Sequence, residues 1–182
     1  MLYEEVTRGL KSNEEKILAC WTYVANIPYR ETIASRITVN GKTKGQSDLW
    51  LYPAETIKLA PVANCANKSF LLTSLLRNVL SESEVYCALG HLNIDGIGAH
   101  AWVAIYMGQD YILETTISQL EKALIPEVVA DAYEPVIYFN DMGVYTVLQG
   151  YSVTSIVNER FGFCAIPWLR SYLCEKCLEL EV

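Results

Sequence analysis

The segment Asn64-Cys65-Ala66-Asn67-Lys68-Ser69-Phe70-Leu71-Leu72 sets a cysteine at the start of the strongest helical pattern in the chain. Phe70, Leu71, Leu75, Leu76, Val79 and Leu80 recur at three- and four-residue spacing and predict a helix over 64–80 with a wide apolar face. Asn64 suits the N-cap, and Pro61 lies just upstream. Cys65 then occupies the first turn, where unpaired N–H groups and the positive end of the helix dipole favour a thiolate. The thiolate is the nucleophilic form of cysteine.

A thiol nucleophile gains from a neighbouring imidazole, and the chain has two histidines, His91 and His100. His91 flanks a glycine in 90–99, which holds Gly90, Gly96 and Gly98 and reads as a surface turn or loop between strands at 85–89 and 99–106. His100 begins the apolar run Ala101-Trp102-Val103-Ala104-Ile105-Tyr106. An imidazole base needs a third group to fix its tautomer. Glu114, in an expected strand over 111–116, is the candidate, since a carboxylate in so apolar a segment needs a partner or a solvated cleft.

Strand alternation tests this set. His100 shares a face with Trp102, Ala104 and Tyr106. A two-residue turn at Gly108-Gln109 would oppose Glu114 to Val103, on the wrong face. A three-residue loop at 107–109 opposes it to Trp102, and one at 108–110 to Ala104; either brings it to the His100 face. The triad therefore requires an odd loop or a bulge.

These residues resemble the motifs of the transglutaminase-like superfamily. Asn64 to Leu72 is similar to its cysteine motif, Gly98-Ala99-His100-Ala101-Trp102-Val103 to its histidine motif, and Leu113-Glu114-Thr115-Thr116 to its acidic motif. The spacings, 35 residues from Cys65 to His100 and 14 more to Glu114, suit it too. Trp50-Leu51-Tyr52-Pro53-Ala54-Glu55-Thr56 resembles a stretch often seen before its cysteine, and Trp21 to Tyr29 resembles its leading helix. The close resemblance covers 50–116, about a third of the chain, while 118–182 matches no motif. Many members carry Gly-Asp-Cys and an aspartate where this chain has Ala63-Asn64-Cys65 and Glu114.

The resemblance implies a papain-like α+β fold, with the nucleophile helix packed on a mostly antiparallel sheet. It implies a cysteine hydrolase or acyltransferase acting on amide bonds of a peptide or protein through a thioester. Cys65 would attack, His100 would serve as base and then acid, and Glu114 would orient His100. The Cys65 N–H would help hold the oxyanion. Trp50 is the first choice for a second donor and Gln46 the next, with Trp102 as a further pocket residue. No metal or cofactor is implied. The rival reading is a binding module that keeps the fold without the chemistry.

Composition bounds these readings. The 182 residues are 52% apolar and 19% charged, enough for one domain over 1–182 with its own core. The net charge of −7 argues against duplex nucleic acid and against acidic membrane surfaces. No apolar run reaches the ~18 residues of a membrane span. Met1-Leu2-Tyr3-Glu4-Glu5 lacks the basic start of a signal peptide, so a cytoplasmic location with six free thiols is expected.

The remaining elements follow from periodicity and turn residues. A helix is expected at 14–26, capped by Ser12 or Asn13 and followed by Pro28, with a loop or short hairpin over 36–48. Further expectations are a helix over 118–133 in which Pro126 either breaks the pattern or starts a second helix, a hairpin of 135–139 with 144–148, and one or two helices over 154–180. Cys174-Glu175-Lys176-Cys177 has metal-type spacing. Only Cys164 is near and no second pair exists, so two cysteines on a helix face is the favoured reading and a zinc site the alternative.

Overall fold

The structure, a computed structural model, describes residues 1–30, 34–39, 42–46, 50–59, 63–94 and 96–147. Four helices and a hairpin come first: α1 (Leu2–Val6), α2 (Asn13–Ala25), β1 (Ala34–Val39), β2 (Lys42–Gln46), α3 (Pro53–Leu59) and α4 (Cys65–Leu76). Then follow β3 (Val85–Asn93), β4 (Ile97–Tyr106), β5 (Asp110–Leu113), α5 (Leu120–Ala123), β6 (Leu124–Pro126), a 3-10 turn at Glu127–Val129, β7 (Tyr133–Phe139) and β8 (Val144–Thr146). The main sheet runs β6-β5-β4-β3-β7-β8, and every pair in it is antiparallel.

The helix starts are written locally. The Ser12 hydroxyl accepts from Glu15 N–H at 3.1 Å while a Glu15 carboxylate oxygen accepts from Ser12 N–H at 3.0 Å, a reciprocal cap on α2. Asn64 caps α4 by accepting from Asn67 N–H at 2.8 Å. α4 stops at Leu76, short of the expected end at 80, and residues 77–79 continue as turn. There Arg77 leaves the helix to bind Asp141 at 2.6 Å and Leu80 O at 2.8 Å.

α2 and α4 lie on one face of the sheet. Ile17, Trp21 and Val24 meet Leu71, Leu72, Leu75 and Leu76, which rest on Val103, Ile105 and Leu113. Each such fully buried aliphatic side chain is worth about 1.5–3 kcal/mol against its exposed state. Trp50, Ala66 and Phe70 extend this core over Cys87, Leu89, Ala101 and Ile137. The opposite face carries a smaller cluster of Ala88, Trp102, Ile112 and Ala130.

Several sequence expectations are corrected. The stretch 90–99 is not a loop: β3 runs to Asn93 and β4 starts at Ile97. Only Gly96, at φ 127°, uses a glycine conformation in that turn. Gly90 lies inside β3 because a Cβ there would fall 2.7 Å from Trp102 Cη2 and 2.8 Å from Pro135 Cα. His91 is accordingly a half-buried strand residue paired with Ala99 and Glu134. The expected strand 111–116 ends at Leu113, so Glu114 lies just past it. The expected helix over 118–133 shrinks to α5, since Leu124–Pro126 pairs with β5 instead. The hairpin over 34–46 and that of β7 with β8 match one expected form each. The expectations for 154–180 and for Cys164, Cys174 and Cys177 lie outside the described residues.

Candidate active site

Cys65 is the first residue of α4 and is half-buried, with Ala66 and Phe70 of the same helix inside the core behind it. Its N–H belongs to the first helical turn, which has no intrahelical acceptor. The loop joining β4 to β5 holds three residues, because Tyr106 pairs with Asp110. Continuing the Val103–Leu113 register carries Glu114 opposite Trp102, on the His100 face.

His100 Nε2 lies 2.8 Å from Glu114 Oε2, and the same imidazole hydrogen-bonds the Cys65 side chain. Cys65, His100 and Glu114 are thus brought together. Glu114 is almost wholly buried, at 1% exposure, and both of its carboxylate oxygens are hydrogen-bonded. Oε1 accepts from Thr115 N–H at 2.8 Å, Thr116 N–H at 2.9 Å and the Thr116 hydroxyl at 2.8 Å. Oε2 accepts from the Tyr133 hydroxyl at 3.1 Å. The backbone is pinned as well: Trp21 Nε1 donates to Glu114 O at 2.7 Å, and Glu114 N–H donates to Ala123 O at 2.7 Å.

The electrostatics follow from this cage. Burial pushes the Glu114 carboxyl up, but His100 and the Thr116 donors outweigh it and hold it below the usual carboxylate range. Burial would lower the His100 imidazole, yet hydrogen bonds and charge from Cys65 and Glu114 raise it to about 10. An imidazolium between two acidic groups is the charge state this setting favours.

Beneath the site, α4 is tied to its neighbours by polar contacts at consecutive positions. Asn67 Oδ1 accepts from Leu51 N–H at 2.7 Å. Lys68 is fully buried and donates to Ala25 O at 3.0 Å and Ile27 O at 2.8 Å, the carbonyls at the end of α2. Desolvation lowers its ammonium to about 8, against the opposing pull of Glu114. Ser69 Oγ meets Thr115 Oγ1 at 3.3 Å.

The remaining sequence candidates fall as follows. Trp50 is buried, packs edge-on against Phe70 at 5.6 Å, and belongs to the cluster that Cys65 borders. Trp102 is a buried wall rather than a pocket surface, stacked on His100 at 6.2 Å and set edge-on to Tyr133 at 5.2 Å. Its indole N–H has no hydrogen-bond partner among the described residues. Gln46 ends β2 opposite Ala34, and its side chain lies outside the described residues. Among the described residues no group of three or more His, Cys, Asp or Glu is gathered to hold a metal ion. No helix among them is long and apolar enough to cross a membrane.

Sequence reasoning missed Tyr133, Thr116 and Trp21 as partners of Glu114. Thr116 carried a signal, a hydroxyl two residues after the acid. Tyr133 and Trp21 carried none, for each arrives from a separate element.

Three comparisons with known proteins bear on this arrangement. A model of the transglutaminase-like superfamily matches residues 1–113 of the 182. No curated protein matches the chain by sequence. Among solved structures it is similar to LapG of Legionella pneumophila, at 15% identity and a TM-score of 0.60, covering 80% of this chain and 74% of that one. The calcium-bound form of LapG aligns over 97% of both chains at 14% identity and a TM-score of 0.52.

Proposed function

The chain belongs to the transglutaminase-like superfamily, and from that premise we propose that it is a cysteine-dependent hydrolase or acyltransferase acting on amide bonds of a peptide or protein. The observation that carries this reading is the buried Glu114 holding His100 Nε2 at 2.8 Å while the same ring bonds Cys65. An ionised carboxylate only accepts, so Nε2 carries the hydrogen of that contact. Nδ1 is then the nitrogen left to take the thiol proton of Cys65.

The chemistry follows from these positions. Cys65 sulfur attacks the amide carbonyl carbon, and the oxyanion is held by the Cys65 N–H at the helix start. Trp50, bordering the same cluster, is the proposed second donor. The carbon–nitrogen bond breaks as His100 passes its proton to the leaving amine. The thioester is then resolved by water, giving an acid, or by an amine, giving a new amide; His100 takes the proton of either nucleophile. Glu114 keeps the imidazole in one tautomer throughout.

The test is the pH dependence of iodoacetamide alkylation at Cys65, resolved by mass spectrometry, in wild type, His100→Ala and Glu114→Gln. The expected result is selective alkylation of Cys65 over Cys20 and Cys87 that persists below neutral pH and that His100→Ala abolishes. Peptide substrates, supplied with and without a primary amine, then separate hydrolysis from transfer. Alkylation of Cys65 that follows the pH profile of a cysteine in an unstructured peptide in all three proteins overturns the enzyme reading in favour of a binding module.

A further inference from the structure

The outer face of the sheet, away from α2 and α4, holds a second feature that the thiol chemistry does not use. Tyr138 of β7 pairs directly with Tyr145 of β8 and with Ala88 of β3, which sets Tyr86 diagonally beside it. The rings meet edge-on: Tyr86 to Tyr138 at 6.3 Å and 70°, Tyr86 to Tyr145 at 5.6 Å and 89°. On the neighbouring strand the residue opposite Tyr86 is Ala104, a small side chain between Trp102 and Tyr106. That gap in a row of large residues leaves an open cavity of about 310 Å³.

The lining of this cavity is one-sided in charge. It includes Glu84, Asp110 and Glu127, and among the described residues no lysine, arginine or histidine. Glu127 accepts from the Tyr138 hydroxyl at 3.1 Å, so a carboxylate is fixed at the edge of the aromatic wall. Arg77, whose charge reaches Tyr86, is bound by Asp141 at 2.6 Å. Burial, Glu127 and Asp110 together push the Tyr138 phenol up, as an electronegative site does to an acid.

Tyrosine faces attract cations through their ring quadrupole, and carboxylates attract them by charge. We propose that this cavity is a binding site for a cationic side chain of a peptide, arginine ahead of lysine, seated against the wall formed by Tyr86, Tyr138 and Tyr145 and paired with Glu127. A guanidinium can stack on a tyrosine ring while its N–H edge meets a carboxylate, which an ammonium cannot. The volume is at the small end of ligand pockets and suits one side chain rather than a folded partner. Ala104 lies four residues along β4 from His100, about 13 Å at the strand rise. Binding here does not depend on Cys65, so the site stands or falls separately from the catalytic reading.

The experiment uses the full chain with tyrosine rings labelled with carbon-13. Blocked Gly-Gly-Arg-Gly-Gly is titrated against its lysine and citrulline counterparts, citrulline being the neutral isostere of arginine. The expected result is saturable shifts confined to the tyrosines that line the cavity, Tyr86, Tyr106, Tyr138 and Tyr145, with arginine binding at least about fivefold more tightly than citrulline. Tyr145→Ala and Glu127→Gln should each weaken arginine binding about three- to tenfold, whereas Tyr52→Ala and Cys65→Ala leave it unchanged. Tyr145 is half exposed, and the melting temperature of each variant verifies that the fold is intact. Equal binding of the arginine and citrulline peptides, or shifts centred on other tyrosines, overturns the proposal.

Discussion

The Tyr133 hydroxyl donates to Glu114 Oε2, the same oxygen that holds His100 Nε2, at 3.1 Å and 2.8 Å respectively. A one-residue irregularity in β7 makes this possible. Leu89 pairs with Ile137 but Gly90 pairs with Pro135, so Val136 is extra. Without it, side-chain alternation would turn Tyr133 toward the helices, because a slip of one residue exchanges the two faces.

Tyr133→Phe removes one donor to a buried carboxylate and keeps the ring that packs on Trp102. A hydrogen bond to a charged group is worth about 1.5–3 kcal/mol. The expected outcome is a loss of that size in urea unfolding, together with several-fold slower alkylation of Cys65. Unchanged stability and reactivity would mean that Oε2 is satisfied by His100 alone.

The raised His100 predicts a sign for the pH dependence of stability. Its folded value, about 10, lies above the ordinary 6.5. A raised base contributes fully below its unfolded value and loses that contribution as pH rises through the folded one. Between pH 6.5 and 8 the unfolded chain releases this proton and the folded chain keeps it. Lys68, lowered to about 8, begins to lose its proton in the folded state only toward the upper end of this window, where it opposes the fall without cancelling it. Stability should therefore fall from pH 6.5 to 8 in wild type, and the slope should flatten in His100→Phe. Urea titrations at four pH values read both.

Two glycines in adjoining strands should respond oppositely. A methyl at Gly90 meets the backbone of Glu134 and Pro135 and the Trp102 ring, whereas one at Gly98 meets nothing within 4 Å among the described residues. Gly90→Ala is expected to cost about 3 kcal/mol or more, as overpacking against backbone does. Gly98→Ala should be neutral or stabilise by up to about 1 kcal/mol. Thermal melts of the pair decide it, and equal effects would mean that β7 does not lie against Gly90.

Lys68 and Trp21 tie α2 to both halves of the site. Lys68→Met leaves Ala25 O and Ile27 O without their donor, and Trp21→Phe removes the donor to Glu114 O. Each lost contact at a buried carbonyl costs about 1–3 kcal/mol. The Trp21 change should also slow Cys65 alkylation, because it loosens the residue that orients His100. If both variants lowered stability with no effect on the thiol, α2 would be a prop for the core alone.

Residue order and periodicity alone determined that α4 starts with a capped cysteine, that a helix capped near Ser12 ends before Pro28, and that β4 and β5 form a hairpin. These are local consequences of capping, helical spacing and strand alternation. For His100 and Glu114 to share a face, parity required an odd loop or a bulge, and the loop at 107–109 is one of the two three-residue loops that it allowed. Tertiary structure decided the rest. Gly90 and Gly98 read as loop because glycine is usually chosen for its backbone freedom, yet Gly90 is required by the ring and backbone packed against it. The segment 118–133 read as helix, but pairing of Leu124–Pro126 with β5 outweighs its local preference. The partners of Glu114 were hidden for the same reason. Trp21 lies 93 residues before it, and Tyr133 faces it only through the extra residue at Val136. Local sequence records which groups can cap, alternate or bond; which of them share one buried carboxylate is set by contacts between segments far apart along the chain.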